Sequence, residues 1–319
     1  MRRQQIVKLS HPSATYGYEG IGARGQSPGN LAVWGNYKFE INNGAGECDY
    51  WVVFESVGQP ESAVVSTGNT ILVQTEPEYV RSYSVGYLSQ FDWIVTWRDD
   101  LPPTHVIHSH CMDGWWIKRT YDQLKNERIE KRALMSVVAS DKASIPEHRR
   151  RFSFINRMIG HFKDRLTVFG SIDGQYCHDK YAAIAPYRYS IAIEAASFPD
   201  YWTEKIADCF LTETMPFYFG CPNITDYFDS ECFVPIDIDD YKKSIRIIEE
   251  AIESDAYTRN RQQILSAKQR VLDELQVYPH LVRILESLPR SDVPKTRQLR
   301  PAIKTFLAPE GGWDRELMV

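Results

Sequence analysis

Residues suited to handling a phosphorylated sugar gather between Tyr187 and Tyr227, in the stretch YRYSIAIEAASFPDYWTEKIADCFLTETMPFYFGCPNITDY. It reads as a strand, a short loop, a helix and a second strand, with Glu194, Asp200, Tyr201, Thr203, Glu204 and Lys205 at the joints. In an open α/β sheet the ends of strands and the starts of helices are where ligands bind. The first N–H groups of a helix lack internal partners, and the helix dipole adds partial positive charge there, so a phosphate is well placed. Lys205 in that first turn opposes the dipole and so asks for an anionic partner; Glu204 can accept hydrogen bonds from ribose or sugar hydroxyls. An ordinary capped helix with an acid in its favoured first turn accounts for the same residues. Glu194 ends the apolar run YRYSIAI. A carboxylate at a buried strand end needs a partner or a ligand, and a salt bridge to a distant Arg or Lys meets that need as well as a ligand does.

Other charged residues extend the chemistry. Arg149-Arg150-Arg151 opens a helix; successive residues point about 100° apart, and Arg151 is nearest the apolar face. A guanidinium fork suits a diphosphate because it binds oxygens bidentately, although a solvated helix face explains any one of the three. In TILVQTEPE, Glu76 follows a buried strand directly and Pro77 then breaks it. That places a carboxylate where a general base could work, with Glu78 as the competing carboxylate and a plain loop acid as the other reading. His108-Ser109-His110-Cys111 fits no strong metal-ligand spacing. Walker and HExxH patterns do not occur.

The elements that must carry these residues follow an α/β rhythm. Short apolar runs rich in Val, Ile and aromatics, QIVKLS, DYWVVFES, TILVQTE and FDWIVTW, predict strands in the first third. Residues 16–46 hold many Gly and Asn and read as loop, and PEYVRSYSVGYLSQF reads as a helix with Pro near its first turn. From RALMSVVAS onward, strands (RLTVFGS, YRYSIAI, MPFYFG, CFVPIDI) alternate with helices. Ser144-Ile-Pro-Glu is a helix start, and Phe152, Ile155, Ile159 and Phe162 form one face of the helix behind it. YKKSIRIIEEAIES and RNRQQILSAKQRVLDEL predict two long helices. The alternation predicts a mostly parallel, doubly wound sheet. The boundary between the two halves is expected near Lys118–Lys131, and the last stretch, with its Pro and Gly, reads as an irregular tail.

Bulk properties narrow the function. The chain has 319 residues, enough for two domains, and 43% hydrophobic with 25% charged residues describes a globular protein. Its net charge of −5 argues against a nucleic-acid partner. Arg290, Lys295, Arg297, Arg300 and Lys304 make a local basic tail: a solvated end, or a patch for peripheral contact with anionic lipid or the acidic body. The six cysteines lack CxxC spacing, no apolar run reaches the ~18 residues of a membrane span, and the N-terminus is not a secretory signal. A reduced, cytoplasmic chain is expected, with Cys209 a buried free thiol.

Taken together, these segments resemble the alpha-1,3-fucosyltransferase family, glycosyltransferase family ten. YRYSIAIEA is similar to its strand ending in Phe-Glu-Asn, DYWTEKIADCF to its Tyr-Val-Thr-Glu-Lys helix start, and TMPFYFGCPNITDYF to the Pro-rich strand and Gly turn that follow. VVASDKASIPEHRRRFSFI resembles its Ser-Asn and Arg-x-x-Phe segment, and LVQTEPE its Gly-Glu-Asn segment. The chain departs from the pattern at Ala195, Pro77 and Asp141, where the family has Asn, and at Thr75, where it has Gly.

The resemblance implies a GT-B fold, two Rossmann-like domains with a cleft between them. It implies residues 1–125 as the acceptor-side domain, 126–290 as the nucleotide-sugar domain and 291–319 as the irregular tail. It further implies inverting transfer of L-fucose from GDP-fucose, a co-substrate, to a hydroxyl of a glycan or lipid-linked sugar, without a resident cofactor or metal. Bacterial-type members of the family build surface polysaccharide in the cytoplasm, the setting expected here. By position, Glu76 would be the base, Arg151 and Lys205 would hold the diphosphate, Glu204 the ribose, and Glu194 and Tyr201 would line the donor pocket. Ala195 keeps another nucleotide-sugar donor open, as well as a nucleotide-sugar-binding protein without transfer activity.

Overall fold

The β-branched and aromatic runs form strands because their side chains fit a pleated, buried surface. In the computed structural model, which describes residues 3–11, 22–42, 44, 46–101, 105–141, 146–173, 177–289, 291 and 293–302, the first strands are β1 (Gln5–Ser10), β2 (Val33–Trp34), β3 (Tyr37–Ile41), β4 (Glu47–Cys48) and β5 (Tyr50–Phe54). They are followed by β6 (Glu61–Ser66), β7 (Thr70–Val73), β8 (Trp93–Thr96), β9 (Val106–His108) and β10 (Ala133–Val138). The last are β11 (Leu166–Phe169), β12 (Tyr187–Ile193), β13 (Met215–Phe219), β14 (Val234–Pro235) and β15 (Pro294–Leu299). Two compact units result: Met1–Asp113 with Thr120–Asp122 and Val277–Val319, and Gly114–Arg119 with Gln123–Gln276.

The first unit is built on a seven-stranded sheet of order β2-β3-β1-β5-β7-β8-β9. Its pairings are parallel except for β2 against β3. Alternation along the strands sends Val7, Val52, Ile71 and Val73 to one face, where Tyr278, Leu281 and Leu285 of the helix Val277–Ser287 cover them. Trp51, Val53 and Leu72 face the other way, against Tyr87, Phe91 and Leu299. The apolar face of Val277–Ser287 therefore groups this helix with the first unit, whereas the sequence-based division at 290 puts it in the second.

Several local expectations differ from the structure. The loop expected over 16–46 contains β2 and β3, because Tyr37 and Phe39 supply the period-two burial that its Gly and Asn content obscures. In the segment expected as a helix from Pro77 to Phe91, only Val85–Leu88 is helical, started by Ser84, whose hydroxyl accepts from the Tyr87 N–H at 3.2 Å. The tail read as irregular holds β15, antiparallel to β6 in a three-stranded sheet with β4. Arg297 on β15 pairs with Asp92, and Leu299 is buried. Thus one cation of the basic tail is neutralised within the fold; Arg290 and Lys304 lie outside the described residues.

The second unit carries a five-stranded sheet of order β11-β10-β12-β13-β14, parallel throughout. The helix Pro146–Phe162 buries Phe154, Ile155, Met158 and Phe162. Its apolar stripe is thus rotated from the expected 152/155/159/162 face, since Phe154 and Met158 satisfy the same three- and four-residue spacing. Ser144, the expected cap, lies outside the described residues. The Glu204–Leu211 helix is buried from Ile206 to Leu211. Tyr241–Glu253 is helical as its period predicts, while the second long stretch runs as a helix only over Arg261–Arg270 before a wider π-type turn through Leu275.

Candidate active site

In the second unit β10 has β11 on one side and β12 on the other. Connections from β10 and β12 therefore diverge, and in open α/β sheets ligands bind outside the carboxyl ends of strands at such a reversal. Glu194 immediately follows β12, and Ser140 lies just past β10. Arg151, on the Pro146–Phe162 helix, donates to the Ser140 hydroxyl at 3.4 Å. Its charge also acts against that of Lys205, so both cations serve one region.

Around the start of the Glu204 helix the polar groups form a closed network. Glu194 accepts from the Thr203 N–H at 2.9 Å and from the Thr203 hydroxyl at 2.7 Å. The same hydroxyl accepts from the Lys205 backbone N–H at 3.4 Å and from Lys205 Nζ at 2.9 Å, which uses all of its hydrogen-bonding capacity. Lys205 Nζ also lies 3.3 Å from Glu194 Oε2 and 3.3 Å from Glu204 Oε2. The side chain of Lys205 is 27% exposed whereas that of Glu194 is fully buried. An incoming anion therefore meets Lys205, and Glu194 acts from behind by fixing Thr203 and Lys205. Burial opposes the charge of Lys205, but the carboxylates of Glu204 and Glu194 outweigh it and raise its pKa. Burial likewise disfavours the Glu204 carboxylate, and Lys205 and Lys180 outweigh that, holding its pKa well below the usual range.

Lys180 is the member that the sequence does not suggest. Its ammonium bridges Glu204 at 3.3 Å and Asp208 at 2.7 Å. Asp208 is completely buried, also accepts from the Trp116 N–H at 3.2 Å, and has a pKa pushed up to about 6, by burial first, against the pull of Lys180. The clue was Asp208 itself: an acid within the apolar run of a buried helix needs a cation. Tyr201 is buried at 4% exposure. The loop before it is tied by Asp200, which accepts from Asn223 Nδ2 at 2.8 Å and the Tyr227 hydroxyl at 2.6 Å.

In the first unit Glu76 follows β7 and is half-buried. Its backbone N–H donates to Glu55 at 3.0 Å. Pro77 starts a turn in which the N–H groups of Val80 and Arg81 both reach its carbonyl at 2.9 Å. Glu78, the competing acid, is 64% exposed and lies 3.6 Å from Arg98. Glu55 is absent from the candidates, yet the rule that selects Glu76, an acid directly after a buried strand, applies equally to DYWVVFES.

The His110 and His280 rings are tilted at 50° with centroids 4.3 Å apart, and Ser109 and His280 share a hydrogen bond of 2.7 Å. Among the described residues no group of His, Cys, Asp and Glu is arranged to hold a metal ion. The cysteines are unbridged, and burial pushes the Cys209 thiol up to about 12. No helix among the described residues is long and apolar enough to cross a membrane.

Residues 129–258 match the family model described as glycosyltransferase family 10 (fucosyltransferase), C-terminal part. That segment is similar to the family's C-terminal domain. The chain is also similar to a crystal structure of an alpha1,3-fucosyltransferase with GDP, at 17% identity, covering 86% of this chain and 92% of that one with a TM-score of 0.51. A second alpha1,3-fucosyltransferase structure aligns at 17% identity over 86% of this chain and 91% of its own, with a TM-score of 0.52. At such identity the likeness establishes the fold, a GT-B-type pair of Rossmann-like units. No curated protein matches in sequence.

Arg151, Glu194, Tyr201, Thr203, Glu204 and Lys205 all fall inside the matched segment, while Glu76 and Glu55 precede it. The segment also holds a glycine with a steric duty. A Cβ built on Gly220, just after β13, would lie 2.3 Å from Glu194 Cγ and 2.6 Å from the Tyr218 hydroxyl. Both neighbours are buried, so neither can yield without cost. Gly220→Ala is expected to displace the Glu194 carboxylate and to cost about 1–3 kcal/mol of stability through overpacking. Thermal unfolding of the variant checks this; an unchanged melting temperature would show that Glu194 is not clamped as described.

Proposed function

We propose that the chain is an inverting glycosyltransferase that moves L-fucose from GDP-fucose to a hydroxyl of a glycan or lipid-linked sugar. The observation that carries this reading is the Glu194–Thr203–Lys205 network at the start of the Glu204 helix, inside the matched segment. It offers an anion a helix N-terminus together with the partly open ammonium of Lys205.

On this reading Lys205 and Arg151 bind the diphosphate, and Glu204, held by Lys180, accepts from the ribose hydroxyls. Glu76 takes the proton of the acceptor hydroxyl as its oxygen bonds to the anomeric carbon. The bond from that carbon to the β-phosphate oxygen breaks, its electron pair leaves with GDP, and the protein's own cations meet the developing charge. Glu194 and Thr203 aim Lys205 rather than touch the sugar.

GDP, UDP and dTDP should be compared by thermal shift. At about 100 times its dissociation constant GDP is expected to add about 2.7 kcal/mol, a rise of about 4 °C for a chain of this size. No stabilisation by GDP would sink the reading. Ala195, half-buried beside Glu194, favours a second reading with the same chemistry and a different sugar on the nucleotide. Stabilisation by UDP or dTDP but not by GDP would support it.

A further inference from the structure

The seven-stranded sheet has its own reversal of strand order. β1 lies between β3 and β5, so the ligand-binding end of this sheet is outside β1 and β5. The residue directly after β5 is Glu55, only 1% exposed. Its Oε1 accepts from the Thr75 N–H at 2.5 Å, the Thr75 hydroxyl at 2.6 Å and the Glu76 N–H at 3.0 Å. Its Oε2 accepts from the Tyr83 hydroxyl and faces Arg81 Nε at 3.4 Å. The backbone of Glu55 is left-handed, with φ of 61°, a conformation that a side chain bearing Cβ adopts at a cost. It is locked there by its own N–H bonded to the Val73 carbonyl at 2.9 Å and by the Tyr87 hydroxyl donating to its carbonyl at 3.0 Å.

We propose that Glu55 is a positioning residue for transfer: its carboxylate pins the Thr75–Glu76 backbone and so sets where the Glu76 carboxylate stands. The inference rests on the reading of Glu76 as the base. A buried carboxylate is costly and a strained backbone persists only where its surroundings over-determine it. Here both fall on Glu55, whose carboxylate bonds two residues of one loop, Thr75 and Glu76. The N–H groups of Thr75 and Glu76 donate to this carboxylate, so it stands in for the acceptors of a strand ladder. Trp97 completes the clamp by donating to the Thr75 carbonyl at 3.2 Å. Tyr83 remains a donor, because burial and the charge of Glu55 raise its pKa well above the phenol range. A base held this way needs little reordering when the acceptor arrives, and a displacement of about 1 Å costs about 100-fold in rate.

The test compares Glu55→Gln, Glu55→Ala and Glu76→Gln with the parent. It uses GDP release from GDP-fucose with water as acceptor, together with amide hydrogen exchange at Thr75 and Glu76 in the absence of substrate. Glu55→Gln keeps the shape and the Oε1 acceptor. It is expected to lower kcat by about 10- to 100-fold at a nearly unchanged donor KM. It should also shift the acid limb of the kcat profile to lower pH, since a negative charge near the base has gone. In Glu55→Ala both amides should exchange at least about 10-fold faster, as each loses its acceptor. Parent-like kcat, pH limb and amide protection in the Glu55 variants would overturn the proposal, and where turnover is too slow to read, the exchange alone decides. If Glu76→Gln turns over like the parent, the reading of Glu76 as base fails. If Glu76→Gln is inactive while the Glu55 variants behave as the parent, only the positioning role fails.

Discussion

Glu76→Gln is expected to lower kcat for transfer by about 1,000-fold, within the span that a general base contributes, while GDP continues to stabilise the protein as it does the parent. Glutamine keeps the size and the backbone bond to Glu55 but has no lone pair basic enough to take a hydroxyl proton. The loss should therefore lie in the chemical step. Because the diphosphate is assigned to Lys205 and Arg151 in the other unit, affinity for GDP should be untouched. Steady-state transfer from GDP-fucose to an acceptor panel, beside GDP thermal shift, separates the two quantities. Parent-like transfer would move the role to Glu78, which is 64% exposed and lies 3.6 Å from Arg98. Loss of GDP stabilisation together with activity would instead mean that Glu76 acts on the fold.

What was legible in the sequence was whatever a local pattern encodes. Strands β5, β7, β8, β10, β12 and β13 are short apolar runs, fully or largely buried, and their composition announces them. The Thr203 helix start was legible because a cap, an acid and an apolar face stand in sequence order. β15 was not, because PKTRQL has no apolar periodicity; its place is set by pairing with β6 and by Arg297 reaching Asp92, both far away in sequence. Lys180 was illegible for the same reason: its partners Glu204 and Asp208 lie on another helix. Gly220 could be read only once Glu194 and Tyr218 had been placed around it. Glu55 differs from these, since it carries the same local signal as Glu76, an acid after a buried strand.

Lys205→Met is expected to weaken GDP binding by about 100-fold or more, since the variant can offer the diphosphate neither a charge-assisted hydrogen bond nor a positive charge. Methionine approximates the apolar stem of lysine, so the packing above Thr203 survives while the ammonium is removed. Two carboxylates then lose a partner unequally. Glu204 still has Lys180 at 3.3 Å, whereas Glu194, fully buried, is left with the N–H and hydroxyl of Thr203. A buried charge stripped of its cation is destabilising, so the unliganded variant should also melt below the parent. Lys205→Arg discriminates between the two effects. It restores positive charge for Glu194, but its planar fork cannot reproduce an ammonium that is shared among Thr203, Glu194 and Glu204 at 2.9–3.3 Å. It should therefore recover much of the melting temperature and less of the GDP affinity. Calorimetric titration with GDP, set beside thermal unfolding without it, reads both quantities. If Lys205→Met folds with the parent's affinity for GDP, the diphosphate does not sit at this helix start, and Arg151 with the end of β10 becomes the place to look.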